Sequence, residues 1–509
     1  MLVWAQIKTG GCMSKKSVLI STLSLLLSTQ VLTSTAYAGD IEWSGLYRIE
    51  GHSIQNSELR GAEMPGQPDS GRKKKLGYGL SHLVLRPKIT AGDGLTIFGQ
   101  FDIFNGGTDY PNSQMGTIYG DGVRSQAANT TTSANNSNAL SRNQKAETIE
   151  VTQLYLTLNQ EFSQLIVGRS PLQFGLGMTY SAGRGLFDHW YDTEDMVGYK
   201  VIMGNISFLP MIGRPSGGTF NNSDNIDDYM IHVQYENPES DIEMGIFYKL
   251  RHSGDQASDA PINQGTAPGT VLGGTGAKQS GGINSKIVNI YALRDNERFH
   301  LGMEASFMSG ESGVQTSGGD KVEWGGFGIA TEFEYRPESS KWKWGLKAGS
   351  ASGDDPSTTA KFEGFQFNRN YDVAMLLFNH PLGQDDFLRS RLVTGPVNNG
   401  TDLNINKSDV EAISNVIYLA PVAKYAFNER WTWDNSLITG WLGSNPIQGK
   451  SGSKDVGYEF DSTLNYTPRK GVAWVNQAGV LFPGSAWKAD GTYDAQMAYG
   501  FSTKAAISF

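Results

Sequence analysis

The chain has 509 residues, 39 % hydrophobic, 18 % charged and 11 % aromatic, with 62 glycines and a formal charge of −9. That acidic balance argues against binding nucleic acid or an anionic lipid surface through bulk charge. Cys12 is the one cysteine, so no disulfide within the chain can brace the fold.

The N-terminal stretch reads as lying outside the fold. Met13-Ser-Lys15-Lys16 is a basic start, residues 18–32 form a short Leu-rich run, and Ala36-Tyr37-Ala38 is a small-x-small cleavage site. This is the pattern of a secretory signal over 13–38, preceded by an upstream extension 1–12, with 39–509 as one mature domain. Its removal takes away Lys8, Lys15, Lys16 and Cys12 and no acid, moving the charge from −9 to −12. No later stretch offers the ~20 apolar residues of a membrane helix; the longest run, 373–378, has six.

From there the sequence alternates with period two. Ile41, Trp43, Tyr47 and Ile49 open the pattern; Leu95, Ile97, Phe101 and Ile103 then oppose Thr96, Gln100 and Asp102. The same holds around Tyr229–Tyr235, Ile242–Leu250, Phe299–Phe307, Phe327–Tyr335 and Val456–Tyr466, and again from Tyr493 to Phe509. These are strands with one apolar and one polar face. Tight turns are expected at 91–94, 160–163, 204–205, 238–240, 295–297, 337–340, 428–429 and 468–470. Longer Gly/Ser/Asn/Asp-rich connections alternate with them, at 51–75, 105–145, 170–197, 213–227, 253–282, 310–321, 353–411, 443–454 and 483–492. Short turns alternating with long loops are the signature of a transmembrane antiparallel β-barrel. The fold expected is therefore all-β, with about 18 strands, or 16 if the hairpin at 204–205 and the weakly alternating strand at 283–294 fail.

The aromatic residues separate this reading from a soluble sandwich. Trp43, Trp342, Trp344, Trp431, Trp433 and Trp474 all sit at the turn end of strands, where a membrane barrel carries its indole girdle. A sugar-binding track is the rival reading. Parity opposes it, because Trp342 and Trp344 share a face with Leu346 while Lys343 and Lys347 take the other.

Parity also selects candidate pore-lining residues: Asp102, Arg169, Glu243, Lys249, Arg251, Glu304, Glu332, Glu334, Arg336, Lys343, Lys347, Glu459 and Asp461. A guanidinium at the lipid midplane costs ~2–4 kcal/mol, so Arg169 is expected to face inward or sit at the rim. The connection 353–411 carries Phe362, Phe365, Phe367, Tyr371, Met375, Leu376, Leu377 and Phe378, too apolar for a loop in water. It is expected to fold into the barrel mouth, with Phe365, Phe367, Tyr371, Leu377 and Phe378 at a constriction.

Catalytic signals are weak: there is no G-x-S-x-G, no H-E-x-x-H and no thiol in the mature chain. The histidines (52, 82, 189, 232, 252, 300 and 380) show no pair at metal-ligand spacing, and His232 and His300 read as lumen lining. Asp354-Asp355 and Asp385-Asp386 read as solvated loop carboxylates rather than a Ca²⁺ site, since neither has EF-hand spacing. No enzyme, cofactor or metal is expected.

Three stretches carry a resemblance: "LYLTLNQEFSQLIVGRSPLQFG" (154–175), "SGDDPSTTAKFEGFQFNRNYDVAMLLFNHPLG" (352–383) and "VGYEFDSTLNYTPRKGVAWVNQAGVLFPGSAW" (456–487). They resemble the alginate-export-like family of 18-stranded Gram-negative outer-membrane porins. The closing strand, ending in Phe509, resembles the signal read by the barrel assembly machinery. The resemblance implies an outer-membrane channel contacting lipid and lipopolysaccharide, as a monomer or homotrimer, and passing small hydrophilic solutes or ions. It also implies a positive lumen for a polyuronate, which the mixed charges above do not supply. A general, weakly cation-preferring diffusion pore is therefore expected. The alternatives are a selective channel or polysaccharide exporter, and a surface adhesin or receptor anchored by the barrel.

Overall fold

The computed structural model describes residues 40–57, 59, 75–92, 94–103, 149–214, 226–253, 278–279, 282–315, 321–355, 357–358, 360–380, 382–383, 412–445, 452–488 and 495–509. The expected leader, the connection 105–145, Asp385, Asp386 and the rest of 384–411 lie outside them.

Eighteen strands build one cylinder. They are β1 Asp40–Gln55, β2 Lys75–Gly92, β3 Leu95–Ile103, β4 Glu150–Asn159, β5 Ser163–Pro171, β6 Thr193–Met203, β7 Ile206–Arg214, β8 Asp227–Asn237 and β9 Ile242–His252. The circuit continues with β10 Asn284–Asp295, β11 Phe299–Gln315, β12 Phe327–Tyr335, β13 Trp342–Ala351, β14 Val416–Ala426, β15 Trp431–Leu442, β16 Asp455–Arg469, β17 Val472–Pro483 and β18 Ala498–Ser508. Each pairs antiparallel with its successor. β18 then pairs with β1 from Leu46↔Ser508 to Gln55↔Tyr499. Three short pieces, Lys278–Gln279, Lys321–Trp324 and Lys361–Phe362, extend the sheet at the loop end.

All eight expected turns link strands at one end of the cylinder, and the strand ends that flank the nine long connections lie at the other. The turn at 204–205 is a two-residue hairpin in which Gly204 takes φ 59°, a left-handed conformation that glycine adopts without a Cβ clash. Both doubtful strands are present, so the count is 18 and not 16. Alternation is poor along β10 because its inner face is apolar too. Tyr291 there packs with Phe174, Met196, Met211, Met230 and Phe247 inside the barrel.

The outer wall is apolar around the whole circuit. Ile97, Leu156 and Val167 line up across β3, β4 and β5 with Val197 on β6, and Ile246, Ile290 and Phe333 are among the outward side chains farther on. A closed sheet showing hydrocarbon-like side chains outward, with no unpaired edge, suits a bilayer. Trp43, Trp342, Trp344, Trp433 and Trp474 point outward at the turn end. Trp433 and Trp474 donate their indole N–H groups to Ser462 Oγ at 2.8 Å and Thr503 Oγ1 at 2.9 Å. The donor that would be stranded against lipid is thereby satisfied. Trp431 stacks on Tyr466 with ring centroids 4.3 Å apart.

At the seam, Gly45 N donates to Phe509 O at 2.8 Å and Phe509 N donates to Gly45 O at 3.1 Å. A Cβ at Gly45 would stand 2.6 Å from the Phe509 ring, so the glycine leaves the space the ring fills. Deleting Phe509 removes both bonds, at about 1 kcal/mol each. The expected outcome is a smaller folded fraction, measured as the heat-modifiable band on SDS gels, with unchanged single-channel conductance in the molecules that close.

Candidate pore constriction

Two connections at the loop end turn into the cylinder. In residues 172–192, Phe174 packs on inward side chains of β8, β9 and β10, its ring centroid 5.6 Å from His232, 5.9 Å from Phe247 and 5.0 Å from Tyr291. In residues 352–383, Phe365, Phe367, Tyr371, Leu376, Leu377 and Phe378 join Tyr418 and Ile438 in the most extensive apolar cluster among the described residues. Glycines on the inner wall make room for this loop. A Cβ at Gly479 would stand 3.1 Å from Met375 Sδ, and one at Gly500 2.9 Å from a Leu376 methyl.

A loop placed inside a barrel must still satisfy its backbone. Carboxylates on the wall do this. Glu459 accepts from Leu376 N and Leu377 N, both at 2.7 Å, and Asp461 accepts from Met375 N at 2.8 Å. Glu304 accepts from Met178 N at 3.1 Å and Thr179 N at 3.0 Å. Three of the expected lining residues are therefore buried anchors, sealed beneath the loops they hold.

The two loops also hold each other. Asn370 Oδ1 accepts from His189 N at 3.1 Å and Trp190 N at 3.0 Å, while its Nδ2 donates to Trp190 O at 2.7 Å and Ser181 Oγ at 3.2 Å. Asn368 Nδ2 donates to Asp192 Oδ2 at 2.7 Å, and the Arg369 guanidinium lies 4.5 Å from the centre of the Trp190 ring. Between the loops and β12–β13 remains a cavity of about 350 Å³. Its charged lining is Arg184, Asp188, Glu332, Lys347 and Asp372.

The other expected lining residues divide by place. Glu332 and Lys347 face this cavity and pair at 3.2 Å, with Lys347 Nζ donating to Asp372 O at 3.2 Å. Glu334, Arg336 and Lys343 face inward near the turn end, where Glu334 joins Arg336 at 2.8 Å and Lys424 at 2.6 Å. Asp102 is buried, accepting from His82 at 2.7 Å and from Thr152 and Gln100. Glu243 accepts from Gln234 at 2.8 Å and from Tyr291. Lys249 lies buried between Glu194 at 2.8 Å and Asp228 at 2.7 Å, and Arg251 binds Asp228 through two bonds.

Two expectations need correction. Arg169 is on the outer face: it pairs across the sheet with exposed Leu154 on one side and Asp195 on the other. A bidentate bond to Asp195, at 2.7 and 2.9 Å, and a place two residues from the loop end of β5 remove the cost that argued for an inward position. The constriction is also not lined by phenylalanines. Phe365, Phe367, Leu377 and Phe378 form the underside of the loop against the wall, and of the five named aromatics and aliphatics only Tyr371 borders the cavity. Apolar groups seal a loop to a wall; polar ones face the water that remains.

The loop 172–192 was missed as a constriction element, although Phe174, Leu176, Met178, Tyr180, Phe187 and Trp190 give it the same apolar excess as 353–411. Histidines that look scattered in the sequence also converge. His52 and His189 reach Glu50 at 3.3 and 3.0 Å, and His380 meets Tyr78 at 3.4 Å. Among the described residues no group of three side chains suits a metal ion.

Burial pushes the Asp192 carboxyl up to about 6, against the opposing pull of the Ser181 N–H, Lys249, Asn368 and Arg369. A raised carboxyl favours the clasp in its protonated form. That contribution is complete below the ordinary carboxylate range and is lost as pH rises through about 6. Open-channel current noise is expected to be greater at pH 7.5 than at pH 5, and Asp192→Asn, which keeps the acceptor without the charge, should abolish the difference.

No family model matches the chain, and no curated protein matches it. Solved structures do. OccK9 (OpdG) of Pseudomonas aeruginosa aligns at 10 % identity with a TM-score of 0.49, covering 92 % of this chain and 98 % of that one. A BenF-like porin from Pseudomonas fluorescens Pf-5 aligns at 10 % identity with a TM-score of 0.47 over 92 % and 98 %. The outer membrane channel DcaP of Acinetobacter baumannii aligns at 11 % identity with a TM-score of 0.42 over 94 % and 100 %.

Proposed function

We propose that this chain is an outer-membrane porin through which small hydrophilic solutes and ions diffuse passively. The observation that carries this reading is the cavity of about 350 Å³, bordered by polar and charged side chains, between two loops locked inside a closed, lipid-suited cylinder. Passive diffusion through such a pore requires neither energy coupling nor a reaction. At the narrowing, three carboxylates (Asp188, Glu332, Asp372) face two cations (Arg184, Lys347), and rings of charge tune selectivity by sign. The pore therefore prefers cations weakly, and an alginate-like polyanion would meet repulsion there. Phe509, bonded at the seam, is assigned the role of assembly signal.

Planar-bilayer recording tests the reading. The full chain should conduct, with a reversal potential in asymmetric KCl of the sign set by K⁺. A 360–405 deletion, which removes half of the clasp, should conduct several-fold more. Unchanged conductance would remove the constriction, strong anion selectivity would overturn the charge assignment, and no conductance at all would favour a receptor or adhesin.

A further inference from the structure

Elsewhere in the lumen, charges on the strands largely neutralise one another. Lys249 meets Glu194 and Asp228, Arg251 meets Asp228, Arg336 meets Glu334 and Asp295, and Lys347 meets Glu332. The cavity between the loops differs. Arg184 is braced by the neutral Gln153, donating to its Oε1 at 3.3 Å, and among the described residues has no carboxylate within the 4.0 Å of an ion pair. Asp188 accepts from Gly185 N at 2.7 Å, and Asp372 accepts from Ala374 N at 3.1 Å and Asn379 Nδ2 at 2.8 Å. Neither has a cationic partner at that distance among the described residues. One guanidinium and two carboxylates thus border the same small space without a direct ion pair, although Arg48 and Arg86 lie close enough to Asp188, and Lys504 and Lys347 to Asp372, to favour their charged forms. Gln173, Ser181 and Asn370 add neutral donors and acceptors.

We propose that this cavity is a transient binding subsite for a small zwitterion, a solute bearing one carboxylate and one ammonium as a free amino acid does. A guanidinium offers a carboxylate two parallel N–H bonds, and an ammonium has three donors to share between Asp188 and Asp372. A solute of one sign gains at one pole and is repelled at the other, and a neutral polyol gains only hydrogen bonds. The cavity volume of about 350 Å³ corresponds to about twelve waters at about 30 Å³ each, enough for a small amino acid and part of its hydration. Such a site must hold weakly enough to release, as conduction requires. This inference rests on the diffusion-channel reading.

Proteoliposome swelling separates the two. Rates are measured in isosmotic glycerol, L-serine and sodium lactate for the full chain, for Arg184→Gln, for Asp372→Asn and for a control, Lys88→Gln. Lys88 lies near the turn end, paired with Glu42 at 2.9 Å. The serine-to-glycerol ratio should fall about three- to fivefold in Arg184→Gln and in Asp372→Asn, the scale of one exposed ion pair, and stay constant in Lys88→Gln. Heat-modifiable bands confirm that each variant is closed. If glycerol fails to enter with the full chain, the channel reading falls. If glycerol enters and the ratio is the same in all four proteins, the zwitterion site is overturned and the channel stands. A fall in Arg184→Gln alone, matched by lactate, makes the cavity an anion site and also overturns the proposal.

Discussion

Inside hydrocarbon a peptide group finds no water, so each N–H and C=O must find a partner in the protein. The ladder between Asp40–Gln55 and Ala498–Ser508 answers that demand for the wall, because without it two edges would lie open. The loops inside meet the same demand by other means. Lacking neighbours in a sheet, the tips around Met178 and Leu376 present their N–H groups to Glu304, Glu459 and Asp461. A buried carboxylate is costly alone, yet one that accepts two backbone donors is matched group for group. Polar residues on the inner wall are thus structural as well as hydrophilic.

This explains why inward polarity and pore lining are different properties. The cylinder's inner surface is divided into a part covered by loops and a part facing water. Lys249, Asp102 and Glu459 belong to the first, Glu332 and Lys347 to the second. Period two in a strand reports only the side of the sheet. Which inward residue meets water depends on loops whose path is decided by packing, far from the strand in sequence.

The fold was accordingly more legible than the site. Strand number, turn positions, the outward face and the entry of 352–383 all follow from local patterns: alternation, glycine in turns and an apolar excess in a loop. The clasp could not be read that way. Asn368 and Asn370 are ordinary loop residues until Ser181, His189 and Trp190 are brought opposite them. Arg169 misled because its neutralising partner, Asp195, lies across a long connection, and an isolated charge in a sequence shows nothing of its pair. The apolar excess of 172–192 was visible and carried the same message as that of 353–411.

The pairing that completes the cylinder joins the described strands farthest apart along the chain, whereas each tight turn joins neighbours. The entropic cost of bringing two points of a chain together rises with the length between them. Hairpins around the eight short turns can form early and independently, while the ring-closing ladder needs every intervening strand in place. Until then the growing sheet carries two raw edges, each ready to accept a foreign strand. The molecule is therefore exposed to misassembly until its last strand closes on its first, and an external template before that point acts by occupying an edge.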